Sequence, residues 1–226
     1  MHDARTMASL AKATAPACDG LVCKLGEPDR VAAAWIDGNP LHPTWVATVE
    51  TPSSRLWCWS GTLAEEPFAI HPPNWMSPGR SSLDAFVQAA TTTLRNSAQA
   101  LCLRPHHRHV LSDVPGCMRL LRENAGIGLH ISLAPADLIS PDMVKDLPDH
   151  LERIFSTLGP RAAIVLLQDL GPIDQHNLLA PVALGDGILP RDQVLQLIKD
   201  HVPAETPIVV MPQRLPEQLA WLGCKV

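Results

Sequence analysis

The clearest pattern lies in the second half of the chain, where short apolar runs alternate with segments of helical period. Residues 162–167 read Ala-Ala-Ile-Val-Leu-Leu, an apolar run without polar interruption. A run that short is expected of a strand covered on both faces. Residues 100–103, 127–133 and 207–211 are further short strands. Between them the spacing changes to three and four. Leu147, Leu151, Ile154 and Leu158 form one stripe closed by Gly159-Pro160, which predicts an amphipathic helix split near its start by Pro148. Ser140-Pro141 supplies a cap followed by proline at the first helical position. Helices are also predicted over 114–124, 191–202 and 215–222, and over 82–99 with Ser82 as its cap. The first hundred residues give weaker signals: helices over 3–13 and 29–36, strands over 21–25, 45–49 and 55–60, and a turn at Asp37-Gly38-Asn39-Pro40. Residues 66–80, rich in proline and holding Trp75 and Gly79, read as a long surface loop.

Strands alternating with helices imply right-handed βαβ units and a parallel sheet. One domain over residues 1–226 is expected, of α/β class. A TIM-barrel-like parallel β/α barrel, incomplete or irregular in its N-terminal half, fits the pattern. An open doubly wound sheet fits it too, and periodicity does not separate the two. No internal repeat is visible.

Composition narrows the function. Hydrophobic residues make up 46% of the chain and charged residues 18%, as in a globular protein. A net charge of -5 gives no basic field for a phosphate backbone, so no nucleic-acid partner is expected. No segment is apolar enough for a bilayer, so no membrane partner is expected either. Residues 1–13 carry Asp3 and Lys12 and no long apolar run, so the expectation is a cytoplasmic protein whose six cysteines are reduced. Glycine-rich nucleotide loops and a Gly-x-Ser-x-Gly elbow are missing, which removes support for ATPase, dehydrogenase and serine-hydrolase chemistry.

A series of motifs at strand ends, a helix start, a helix end and a turn follows one order: Leu103-Arg104-Pro105-His106-His107, Ser112-Asp113, Ala134-Pro135-Ala136-Asp137, Leu158-Gly159-Pro160-Arg161, Leu166-Leu167-Gln168-Asp169, Gly185-Asp186-Gly187 and Val209-Val210-Met211. Over roughly residues 98–210 this order resembles the C-terminal half of the xylose isomerase-like TIM barrels, the group of sugar-phosphate isomerases and epimerases that also includes a family of AP endonucleases. That family holds divalent cations at the barrel mouth with Glu, Asp, His and Glu. Here the resemblance places Arg104 at the first Glu, Ala134 (or Ser132) at the Asp, Asp137 at a His, Leu166 at the strand His and Met211 at the last Glu. A guanidinium at a cation site repels the ion by several kcal/mol at short range. A family-type Zn, Mn or Mg ion is therefore not expected.

The remaining chemistry concentrates near those strand ends. Asp137, Asp169 and His106 are the candidate catalytic groups, the carboxylates as proton-sharing bases and the imidazole as an acid-base group. Arg104, His107 and Asp186 are candidate ligand-binding groups. A strand-end Arg grips an anion with two parallel hydrogen bonds, or pairs internally with Asp137, Asp169 or Glu50. The bland alternatives are an exposed polar loop for His106, His107 and His109, and a turn former for Asp186. Lys24 and Glu50 also end strands. Asp174 and His176 resemble a remnant Asp-x-His metal pair from the endonuclease branch; alone they would hold zinc weakly. Trp57, Trp59 and Trp75 are packing residues, or else they line a sugar or partner surface.

Three readings follow. The first is a divergent sugar-phosphate isomerase/epimerase-like protein, its metal site largely lost, binding a small anionic or polyhydroxylated molecule without catalysis. The second is an active isomerase or epimerase with a metal site relocated to Asp137, Asp169, Asp174 and His176. The third is a partner-binding protein using loop 66–80. Neither the substrate nor the oligomeric state is encoded in any motif.

Overall fold

Eight strands close into a ring in the computed structural model, which describes residues 7–12, 20–24, 27–36, 38–45, 55–94 and 99–224; for 7–12, 20–24, 27–32 and 93–94 this is the backbone alone. In chain order the ring strands are β1 (Met7–Lys12), β2 (Gly20–Lys24), β3 (Glu27–Trp35), β4 (Arg55–Trp59), β5 (Ala100–Arg104), β6 (Leu129–Leu133), β7 (Ala162–Leu167) and, after two strands outside the ring, β10 (Ile208–Val210). From β3 to β7 each strand pairs parallel with the next, β10 joins β7 in parallel, and β1 joins β10 in parallel. β2 alone runs the other way, between β1 and β3. Closure of this ring excludes an open doubly wound sheet. The reversed β2 is the irregularity of the N-terminal half.

Two expected helices are strands. Residues 3–13 and 29–36 are rich in alanine, a strong helix former, yet β1 and β3 occupy them. Alanine's preference is worth only tenths of a kcal/mol per residue against its neighbours on the scale. Pairing on both edges outweighs it: β1 lies between β10 and β2, and β3 between β2 and β4. The strand expected over 45–49 falls mostly outside the described residues, as does Glu50.

Helices α1 (Ser77–Leu94), α2 (Val114–Glu123), α3 (Leu147–Leu158), α4 (Arg191–His201) and α5 (Leu215–Trp221) complete the fold. The segment read as a surface loop over 66–80 is in part helical, with a 3-10 turn over Pro72–Trp75 and α1 starting at Ser77 rather than Ser82. Gly79 permits that start: a Cβ there would lie 2.2 Å from the carbonyl oxygen of Asn74. The periodic stripes dock as expected, with Leu147, Leu151, Ile154, Phe155 and Leu158 all buried on α3. α2 begins at Asp113, whose carboxylate accepts the Gly116 N–H at 2.7 Å. An antiparallel hairpin of β8 (Asp169–Ile173) and β9 (Leu179–Val182) follows β7. It carries only short apolar stretches, too weak a pattern to predict a strand pair from sequence.

Strand alternation sorts the core into two shells. Leu56, Leu101, Leu103, Ile131, Leu133, Val165, Leu167 and Val210 belong to the outer shell with the helices. Ala33, Trp57, Cys102, Ala134, Ile164, Leu166 and Val209 form the inner shell, inside the barrel. Among the described residues no helix is long and apolar enough to cross a membrane.

Candidate ligand site at the barrel mouth

The inward parity continues past the inner shell to the C-terminal ends of the parallel strands, where barrel enzymes place their chemistry. It brings Trp59 of β4, Arg104 of β5, Gln168 after β7 and Met211 after β10 around one cavity of about 370 Å³. Phe68, His106, His107, Asp137 and, from the hairpin, Asp174 complete its wall.

Arg104 is the centre of this arrangement. Its Nε donates to Asp137 Oδ2 at 2.5 Å and its Nη2 to Asp137 Oδ1 at 3.1 Å. Gln168 Nε2 donates to the same Oδ1 at 2.6 Å, and Gln168 Oε1 lies 3.4 Å from Arg104 Nη2. The two charged side chains are only 11% and 6% exposed. Trp59 and Arg104 are register partners on neighbouring strands, which sets the guanidinium 4.0 Å from the indole centre. Asp137 itself sits in a 3-10 turn over Pro135–Leu138 that follows β6 directly. Of the internal partners considered for Arg104, Asp137 is the one the fold supplies.

The histidines are not an exposed loop. His106 and His109 are buried, and His107 is partly so. His106 Nδ1 accepts the Arg108 backbone N–H at 3.0 Å. Burial, with the cations around it, holds the His106 imidazole well below its ordinary pKa, so the ring is neutral near pH 7. His107 donates its backbone N–H to the Asp137 carbonyl at 2.9 Å, and its Nδ1 is 3.1 Å from the same oxygen. Burial lowers the His107 pKa as well. His109 Nε2 reaches the Pro67 carbonyl at 2.9 Å, and burial lowers its pKa to about 4.

Asp169, Asp186 and His176 stand outside this wall, and Asp174 reaches it only from the hairpin turn. Asp169 follows the outward parity: Oδ1 accepts the backbone N–H groups of Leu170 and Leu189, both at 2.8 Å, and Oδ2 that of Gly185 at 3.0 Å. Asp137 and Asp169 thus have separate partners rather than a shared proton. Asp186 lies in the turn between Gly185 and Gly187 and pairs with Arg214. Asp174 Oδ1 accepts the N–H groups of His176 at 2.8 Å and Leu178 at 2.9 Å, shaping the hairpin turn. The His176 ring faces Gln175. Among the described residues no three His, Cys, Asp or Glu side chains form a set able to hold a metal ion. At the inward strand ends stand an indole, a guanidinium, a methyl, an amide and a thioether. Hard divalent cations need several oxygen or imidazole ligands, which this set does not offer.

The architecture matches solved structures. A xylose isomerase domain protein from Planctomyces limnophilus superposes with a TM-score of 0.50 at 18% identity, over 74% of this chain and 55% of its own. The fold is that of the xylose isomerase-like barrels. The probable 3-DHS dehydratase AsbF of Bacillus anthracis gives 0.54 at 10% identity, covering 84% of this chain and 74% of its own. A D-tagatose 3-epimerase-like protein gives 0.52 at 14%, covering 76% and 64%. The chain thus spans little more than half the length of the Planctomyces xylose isomerase-like barrel. No protein-family model and no curated protein sequence matches it.

Two wall residues escaped sequence reasoning. Gln168 was passed over for its neighbour Asp169. Leu166 points inward and Leu167 outward, so the two-residue period marks Gln168 as the inward group. Phe68 lies on an irregular segment and has no such signal.

Proposed function

We propose that this chain binds a small polyhydroxylated molecule at the barrel mouth, without a resident divalent cation and without isomerase or epimerase chemistry. The observation that carries the reading is the closed Arg104–Asp137–Gln168 set, in which Arg104 stands where the resemblance would put a metal-binding Glu and Asp137 where it would put a His. Asp137 already neutralises Arg104, so an added anion gains less at this mouth than a neutral ligand does. Carboxylate, amide and guanidinium edges offer both donors and acceptors to hydroxyl groups. Trp59 and Phe68 offer ring surface to the C–H faces of a sugar. A cavity of about 370 Å³ accommodates a molecule of that size.

The test is titration calorimetry with myo-inositol, a hexose and a hexose phosphate, in EDTA. Binding of a neutral polyol is expected to survive chelation and to weaken about tenfold or more in Asp137→Asn, through loss of a charge-assisted acceptor. Binding or turnover that appears only when manganese or zinc is restored would overturn the reading.

A further inference from the structure

A second cavity, of about 680 Å³, opens beside the mouth between the Pro/Trp-rich segment, the start of α2 and the 3-10 turn leading into α3. Ile70, Trp75, Val114, Met143 and Ile154 give it apolar walls. Ile70 is 61% exposed and Trp75 47%, high values for large apolar side chains.

Arg108 lines this cavity and not the barrel mouth. It is only 5% exposed. Nη2 donates to the Asn177 carbonyl at 3.0 Å, whereas Nε is fully buried with no partner and Nη1 makes no hydrogen bond. No Asp or Glu among the described residues makes an ion pair with Arg108; Asp174, the carboxylate that feels its charge, is exposed on the hairpin turn. A buried charge without a counter-ion is costly, and native proteins pair such groups or satisfy them with a ligand. Beside it, His107 Nε2 is also buried and unpartnered. Two carboxylates share the wall, but each is engaged: Asp113 by the Gly116 N–H, and Asp142 by the Ser140 hydroxyl at 2.6 Å. Of the charged side chains in this wall Arg108 alone is buried, whereas Asp113, Asp142 and Arg153 are exposed.

We infer that this second cavity binds a small amphipathic anion, a carboxylate or phosphate on an apolar body. The anionic end meets the open edge of Arg108, and the apolar body lies against Trp75 and Ile70. The site is distinct from the polyol site: Arg108 lines only this cavity and Arg104 only the mouth, with His107 bordering both.

The probe is anilinonaphthalenesulfonate, with neutral N-phenylnaphthylamine as its uncharged counterpart. Saturable binding of one sulfonate probe per chain is expected, with energy transfer from Trp75 that is lost in Trp75→Phe. Arg108→Met should weaken the sulfonate about tenfold or more, the scale of a charge-assisted hydrogen bond, and leave the neutral probe unchanged. Benzoate or inorganic phosphate should displace the sulfonate, and which of the two does so names the anion class. Equal affinity of natively folded Arg108→Met for the sulfonate would overturn the inference. If that variant does not fold, sulfonate binding to the wild type that neither competitor displaces overturns it equally.

Discussion

His109 and Phe68 lie face to face, their ring centres 5.4 Å apart and their planes 6° from parallel. The contact clamps the loop after β5 to the Pro-rich segment, and it makes stability depend on pH. The His109 pKa is about 4 in the folded chain because the ring is buried and Nδ1 has no acceptor nearby for a proton. The unfolded chain binds that proton near the ordinary histidine value. Stability is thus fully present above about pH 6.5 and is lost as pH falls toward 4, by an amount on the order of 3 kcal/mol for this ring alone. Urea midpoints are expected to fall between pH 7 and about 5. His109→Gln, which keeps a donor for Pro67, should flatten the slope. A flat wild-type profile contradicts the neutral buried cluster.

Breaking the Arg104–Asp137 pair from one side should be costly. Arg104→Met leaves the Asp137 carboxylate buried with Gln168 as its remaining side-chain donor, and a loss of about 3–5 kcal/mol is expected. The double variant Arg104→Met, Asp137→Leu removes both charges and should recover most of that loss. Chemical denaturation of the four proteins of the cycle measures the coupling; a double variant no better than Arg104→Met would show that the pair stabilises the mouth in its own right.

Asp169 orders the segment after the hairpin rather than the mouth. Asp169→Ala abandons three backbone N–H groups and should destabilise by about 2–4 kcal/mol, with faster hydrogen exchange at Gly185 and Leu189. Gly187→Ala should act on the same contact, since a Cβ there would lie 2.4 Å from Asp169 Oδ1 and 2.4 Å from the Leu170 carbonyl. Unchanged exchange in either variant would remove this role.

Thiol chemistry should follow burial. Burial pushes the Cys102 thiol up to about 12 and raises Cys58 and Cys117 as well, so all three stay protonated in the native chain. Cys224 is less deeply buried. Among the four cysteines whose side chains are described, alkylation mapped by mass spectrometry is expected to label Cys224 first and Cys58, Cys102 and Cys117 only on unfolding. Native-state labelling of Cys102 would mean that the barrel interior opens.

The parallel half of the barrel was legible because its strands are short, fully covered and bounded by proline and glycine. The motifs at Leu103–His107, Ala134–Asp137, Leu166–Asp169 and Val209–Met211 fall at the strand ends they were read on, while Ser112-Asp113 starts α2 and Leu158–Arg161 ends α3. In the N-terminal half β2 and β4 match the strands read at 21–25 and 55–60, but β1 and β3 were not legible: their alanines carry a helical preference that only pairing with distant strands overrides. At the site, Arg104, His106, His107 and Asp137 converge as a cluster, since all follow adjacent strands β5 and β6. Asp169 and Gln168 differ by one position, and with a period of two that step moves a side chain from the barrel to the opposite face. That Arg108 makes no ion pair had no sequence signal, because that lack is a property of the folded neighbourhood.

Asn74 joins three stretches of chain with one amide. It accepts the Leu63 N–H at 2.7 Å, and its Nδ2 donates to the Thr62 hydroxyl at 2.7 Å and to the Arg108 carbonyl at 2.8 Å. The segment that carries Phe68 into one recess and Trp75 into the other is therefore riveted to the residue whose guanidinium stands unmatched. Both recesses are therefore walled in part by one collar, which a single amide holds in place.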